Sequence, residues 1–214
     1  MKTHQNFVMQ NSETQLFQMH QRSNWVRLRT LVILRWIAIA GQIAAIIIAV
    51  RIYQLQLPVG FAMLIILCSV FVNLFSAFTY PENKRLSERE ARWILVYDII
   101  QLSLLLFLTG GLNNPFALLI LAPVTIASTV LGMRSMIMIG AIAIGLISLI
   151  GLTNVSIVTS GGAILSMPNL FQFGFWVSLV TGIIFVAYYA RLVTTEMNAM
   201  GDACLLYTSD AADD

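Results

Sequence analysis

Between two apolar stretches of this chain lies the uncharged segment Gly110-Gly111-Leu112-Asn113-Asn114-Pro115-Phe116. Its residue types suit it to hold a small amphipathic ligand. Asn113 and Asn114 carry amide donors and carbonyl acceptors. Gly110 and Gly111 can take positive φ and bring backbone close to a ligand. Pro115 fits the first turn of a helix, and Asn114 fits the cap before it. Phe116 supplies a ring. A quinone headgroup meets that chemistry, with two carbonyls to accept hydrogen bonds, a flat ring to stack and an isoprenoid tail to lie in lipid. A tight turn closed by a helix cap uses the same residues and needs no ligand.

Other polar groups sit inside apolar runs. Asp98 is the one acid well within such a run, and an intramembrane carboxylate is costly enough to raise a functional question. Gln101 at i+3 and Leu105 continue its helix face. Arg35 lies at a similar depth in the first run and can pair with Asp98. The pair reads either as an interhelical clamp or as a charge coupled to a signal or a proton. Gln42 and Asn73 read as interhelical hydrogen-bonding groups, and Ala38, Gly41, Ala45, Gly140, Ala141, Gly145 and Ser148 as close-packing positions, within one chain or across a dimer. Pro123 removes a helical hydrogen bond and predicts a kink that shares a pocket with the Gly110–Phe116 loop.

Metal and thiol chemistry have little support. His4 and His20 are isolated from any cysteine or carboxylate cluster, so no metal site is expected. Cys68 reads as a small packing residue, and with Cys204 it forms no disulfide framework.

The elements that must position these groups are membrane helices. The 214 residues are 58% hydrophobic and only 10% charged, with a mean hydropathy of +0.83, against about 25% charged residues in a soluble domain. The fold class expected is all-α, a polytopic membrane protein. Runs of about 20 apolar residues predict six transmembrane helices, at 31–50, 57–78, 93–109, 116–131, 135–153 and 171–189. The third is short, and only Gly132-Met133-Arg134 divides the fourth from the fifth. The first run begins too late for a signal peptide and reads as a retained helix.

Basic residues orient the spans. Lys2, Arg22, Arg27, Arg29, Lys84, Arg85, Arg89, Arg92, Arg134 and Arg191 fall on one side, with Arg35 just inside the first helix from that side, and Arg51 alone falls on the other. Both termini are therefore expected in the cytoplasm, with the Gly110–Phe116 loop and residues 154–170 on the opposite face. Trp36, Trp93, Tyr53, Tyr80, Tyr188 and Tyr189 lie near helix ends, as interfacial anchors do. The mixed-charge loop Pro81–Arg92 reads as a solvated helical turn or a docking surface. Residues 1–30 form a polar cytoplasmic tail and 31–190 the membrane domain.

The loop segment resembles the Gly-Gly-x-x-Asn-Pro-Phe motif of the RegB/PrrB/ActS redox-responsive sensor histidine kinases. Gly110, Gly111, Asn114, Pro115 and Phe116 fill its positions, with Leu112 and Asn113 as the variable pair. The lead-in Asn24-Trp25-Val26-Arg27-Leu28-Arg29-Thr30 to Arg35-Trp36, and the charged second loop, match as well. The resemblance implies a membrane input domain that senses the ubiquinone pool through Gly110, Gly111, Asn113, Asn114, Pro115 and Phe116. It implies a bacterial inner-membrane protein acting as a homodimer in a two-component system, and no direct contact with nucleic acid. It also implies a kinase region that uses ATP, phosphorylates a histidine and passes the phosphoryl group to a response regulator; no such histidine or nucleotide loop occurs in this sequence, which carries no catalytic residues. On this reading 191–203 begins a signalling linker. Residues 204–214 resemble translated adapter read-through, and the sequence is a fragment of a longer gene.

Two other functions fit a chain of this composition. A small transporter or channel subunit would need polar residues converging on a midplane path, and no repeated broken-helix pattern is visible. A structural quinone-binding subunit of a respiratory complex lacks paired intramembrane histidines for haem.

Overall fold

The computed structural model describes residues 26–79, 85–153 and 157–213. His4, His20, Asn24, Trp25, Tyr80, Lys84 and Asn154 lie outside the described residues, as do the polar tail and the start of the Pro81–Arg92 loop. Strand β1 (Val26–Arg27) leads directly into α1 (Leu28–Arg51). It pairs antiparallel with β2 (Arg85–Leu86), Val26 opposite Leu86. Helix α2 is Val59–Thr79 and α3 is Glu88–Leu108. Two 3-10 turns follow, Gly111–Asn113 and Pro115–Ile120, and then α4 (Leu121–Val130) and α5 (Met133–Leu152). A hairpin of β3 (Ile157–Val158) and β4 (Ile164–Leu165) precedes α6 (Asn169–Asp213).

Among the described residues five helices are long and apolar enough to cross a membrane, rather than six. The exception is the fourth segment, in which six residues of 3-10 helix precede ten of α-helix. The tighter 3-10 winding rises more per residue, so the segment still reaches about 27 Å, close to the roughly 30 Å of a hydrocarbon core. Pro123 explains the junction and corrects the expected mid-helix kink. It sits in the first turn of α4, where its missing N–H costs least. The break to α5 is a full separation, made by extended backbone at Leu131 and Gly132.

Helix α3 starts earlier than the apolar run because polar chemistry nucleates it. Ser87 is its N-cap: the Glu90 N–H donates to Ser87 Oγ at 3.3 Å, and the Ser87 N–H donates to Glu90 Oε2 at 2.8 Å. Glu88 then reaches across to the α4–α5 turn. Its Oε1 accepts from Ser135 Oγ at 2.7 Å and from the Gly132 N–H at 3.2 Å, while Arg92 Nη1 donates to Ser135 Oγ at 3.4 Å. This charged loop is thus a helix start bolted to a neighbouring turn. Ser87→Ala should lower stability by about 1 kcal/mol in a detergent unfolding assay, and Ser87→Asp should retain it.

Helix α3 is the centre of the bundle. One core joins it to the fourth segment, α5 and α6 through Leu95, Ile99, Ile120, Val124, Ile139, Ile147, Leu179 and Ile183, each 0–1% exposed. A second joins it to α1 and α2 through Leu105, Ile39, Ile46, Ala62 and Ile66. The opposite faces carry Phe61, Leu64, Phe71, Phe78, Phe185 and Tyr188, all exposed and apolar. In lipid such faces are as well solvated as a packed core, so apolarity alone does not choose helix partners.

The expected close-packing positions divide between buried and exposed faces. Ala38 and Gly41 are exposed in the single chain, which leaves packing at them to a contact across a dimer. Cys68 is exposed on α2 rather than packed. Ala141 and Gly145 are exposed on α5, whereas the expected packing position Gly140 is buried, in line with Ile139, Ala143 and Ile147.

At one end the α1–α2 connection is stitched to the hairpin. The Gln56 N–H donates to the Val158 carbonyl at 2.8 Å, and the Ser160 N–H to the Gln54 carbonyl at 2.9 Å. At the other end Arg191 Nη1 donates to the Leu131 carbonyl at 2.8 Å, tying α6 to the α4–α5 turn. Backbone helix continues past residues 190 and 203 to Asp213 without a break.

Candidate functional site

The Gly110–Phe116 segment is built from its own short-range bonds. Thr109 ends α3, its N–H shared between the Leu105 and Leu106 carbonyls. Gly110 and Gly111 then take φ of 110° and 60°, which only glycine adopts without strain. Space is as restrictive as φ. A Cβ on Gly110 would collide with Ile157 Cδ1, and one on Gly111 would lie 3.2 Å from Ile150 Cγ2. Asn114 is the expected N-cap, with Pro115 at the first helical position. Its Oδ1 accepts from the Phe116 N–H at 2.9 Å, and its Nδ2 donates to Thr109 Oγ1 at 2.8 Å and to the Thr109 carbonyl at 3.3 Å. Asn113 Oδ1 accepts from the Met167 N–H at 2.9 Å, drawing in the link between β4 and α6. Leu112 is 2% exposed and packs where Gly151 leaves room; a Cβ there would be 2.9 Å from Leu112 Cδ1.

Beneath this segment is a cavity of about 460 Å³, bounded by α1, the end of α3, the loop after α1 and residues 166–168. That falls within the ordinary size range of small-molecule sites. Asn113, Asn114, Pro115 and Phe116 line it. Gly110 and Gly111 do not; they are buried behind it and shape the turn. Most of the wall is apolar, including Ala45, Ile46, Leu102, Leu105 and Leu106. Gln42, Tyr53, Thr109 and Ser166 are polar residues of the lining besides Asn113 and Asn114. Of these the sequence marked Gln42 only as packing and Tyr53 only as an anchor, and it marked Thr109 and Ser166 not at all. Thr109 was legible in principle as the residue before the two glycines, but no spacing rule reaches from the loop to Gln42 on α1. Ile48, Phe116 and Leu119 line the cavity while remaining 37–40% exposed, so its mouth opens toward the apolar outside of the bundle. An apolar slot with a few polar groups fits a flat carbonyl-bearing ring and an apolar tail.

Below the cavity, polar side chains connect α1 to its neighbours. Arg35 Nη2 and Asp98 Oδ1 are 2.7 Å apart, with side chains 7% and 26% exposed. The Arg35 guanidinium also lies 5.5 Å from the centre of the Tyr97 ring. Higher up, Gln42 and Gln101 exchange amides: Gln101 Nε2 donates to Gln42 Oε1 at 3.1 Å, and Gln42 Nε2 to Gln101 Oε1 at 3.4 Å. Asn73 Nδ2 donates to the Val32 carbonyl at 3.2 Å and brings in α2. Since apolar faces do not select partners in lipid, these bonds set which face of α1 meets α3. The Asp98–Arg35 pairing is as the sequence suggested, and it joins α1 to α3.

Residues 17–162 match the family described as the PilS-like transmembrane domain, a six-helix membrane unit. Two sequences named sensor histidine kinase RegB, both from Cereibacter sphaeroides, are 47% and 48% identical over 192 residues, covering 90% of this chain. The alignment takes in 41% of each, so the chain spans about two-fifths of the length of these curated relatives. No solved structure matches. With a helical membrane bundle, a glycine-asparagine-proline loop in place and a family match over most of its length, the chain belongs to the PilS-like transmembrane domain family and is related to the RegB sensor histidine kinases.

Proposed function

We propose that this chain is the membrane input region of a two-component sensor histidine kinase that reads the redox state of the quinone pool. The observation that carries the reading is the cavity: Asn113, Asn114, Pro115 and Phe116 line an apolar slot that opens toward lipid beside exposed Ile48 and Leu119. Ubiquinone is the ligand proposed, its ring beneath Phe116 and its tail leaving between α1 and the fourth segment. Six crossings of the bacterial inner membrane, counting the short fourth segment, would leave both termini on one side, and the basic-residue bias supports the cytoplasm as that side. The loop and the hairpin then lie on the periplasmic side.

Output runs through α6. Packing of α4 and the Arg191 bond to Leu131 couple the short fourth segment to that helix. Residues 191–203 serve as the linker toward a kinase region that uses ATP and hands its phosphoryl group to a response regulator, in a homodimer. Residues 204–214 are assigned no part in this. Equilibrium binding of decylubiquinone to the chain in lipid nanodiscs tests the site. Saturable binding is expected, about tenfold weaker in Phe116→Ala, since the ring's stacking is lost. Absence of saturable binding to the wild type, or equal binding by both, overturns the reading. Asn114→Ala is a poor probe, because its amide already holds the turn together.

A further inference from the structure

We infer that Gln42 is the cavity's buried hydrogen-bond donor to a ligand carbonyl, and that its partner Gln101 carries the contact to α3. The inference rests on the quinone reading above and names the group that recognises the ligand.

Three observations point to Gln42. It lines the cavity and is 5% exposed, so its amide is out of reach of bulk water. Its pairing with Gln101 uses one N–H and the Oε1. A primary amide has two N–H groups and one carbonyl with two lone pairs, so the pair leaves Gln42 a second N–H. Finally, the N–H it gives to Gln101 spans 3.4 Å, the longer arm of the exchange, against 3.1 Å for the return bond. Asn114, by contrast, spends its donors on Thr109.

A quinone carbonyl against Gln42 receives an N–H donor in a low-dielectric pocket, where such a bond is strong and its loss is felt. A quinol presents a hydroxyl at the same position. That hydroxyl donates as well as accepts, and it takes the second lone pair of Gln42 Oε1, beside the Gln101 N–H. The oxidised ligand therefore leaves Gln42 Oε1 wholly to Gln101, and the reduced ligand makes Gln101 share it. Gln101 stands one helical turn from Asp98 on α3, beside the Arg35 clamp that joins the same two helices. The redox state of the ligand thereby biases how firmly α1 holds α3.

Binding of decylubiquinone and of n-decylbenzene to the full chain in nanodiscs, in wild type, Gln42→Leu and Gln101→Leu, tests the assignment. Gln42→Leu should weaken decylubiquinone about tenfold and leave decylbenzene unchanged, because only the quinone has carbonyls. Gln101→Leu should stay within about threefold of wild type for both ligands. Equal decylubiquinone binding by wild type and Gln42→Leu overturns the role of Gln42 and leaves the quinone site standing. Equal losses in Gln42→Leu and Gln101→Leu, or a matching loss of decylbenzene, also overturn it and make the pair structural. No saturable binding to the wild type overturns the site and this assignment together.

Discussion

Asp98→Ala is expected to destabilise the bundle by about 3 kcal/mol, read as a lower unfolding midpoint in detergent. Breaking a buried ion pair from one side typically costs about 3–5 kcal/mol, because the remaining charge is left without a partner. Arg35 would be that charge, with a side chain only 7% exposed. Asp98 itself is 26% exposed, which places the effect at the low end of the range. The double replacement Arg35→Met with Asp98→Leu should recover most of the loss, since an apolar pair of similar volume needs no compensation. A double-mutant cycle isolates the coupling. Asp98→Asn should fall between, because an amide oxygen still accepts from the guanidinium. If Asp98→Asn left stability untouched yet shifted output of a complete kinase, the clamp would give way to a signalling role.

Gly110→Ala should be about as damaging, for a reason confined to the loop. Its φ of 110° lies where a side chain costs about 1–3 kcal/mol in backbone strain. The added Cβ would also collide with Ile157 Cδ1 and Cγ1, so the Ile157 side chain must shift within its buried place. The sum should reach about 3 kcal/mol, and decylubiquinone binding should fall with it as the turn shifts. Two controls separate the parts. Ile157→Ala in the Gly110→Ala background should relieve the collision and leave the backbone cost. Gly162→Ala, at φ 79° with open space around the new Cβ, should show the backbone cost alone. A Gly110→Ala protein as stable as Gly162→Ala would mean that Ile157 moves freely and the loop is not held by it.

The parts of this protein that were legible in advance are those ruled by local or very strong forces. Asn114 followed by Pro115 is a cap because the amide reaches the N–H two residues on whatever lies around it. The helices exist because long apolar runs in lipid must satisfy their backbone internally. Arg35 found Asp98 because a buried acid has few affordable partners. Helix ends were less accurate. The start of α3 moved into the charged loop because a capping box outweighs the loss of apolarity there. The fourth segment departed from a plain span because a turn of 3-10 helix relieves the geometry between Pro115 and Pro123.

The sequence by itself determined the helical membrane class, the position of the Gly110–Phe116 turn with its Asn114 cap, and the Arg35–Asp98 ion pair. Tertiary structure alone decided that Asn113–Phe116 face a cavity while Gly110 and Gly111 stand behind it, that Leu112 is core against Gly151, and that Gln42 meets Gln101. The physical reason is the solvent. In water an apolar stripe tells a helix which face to bury, but in lipid every apolar face is equally content. Side choice then passes to a few hydrogen bonds and to shape, and those exist only once the helices have been brought together.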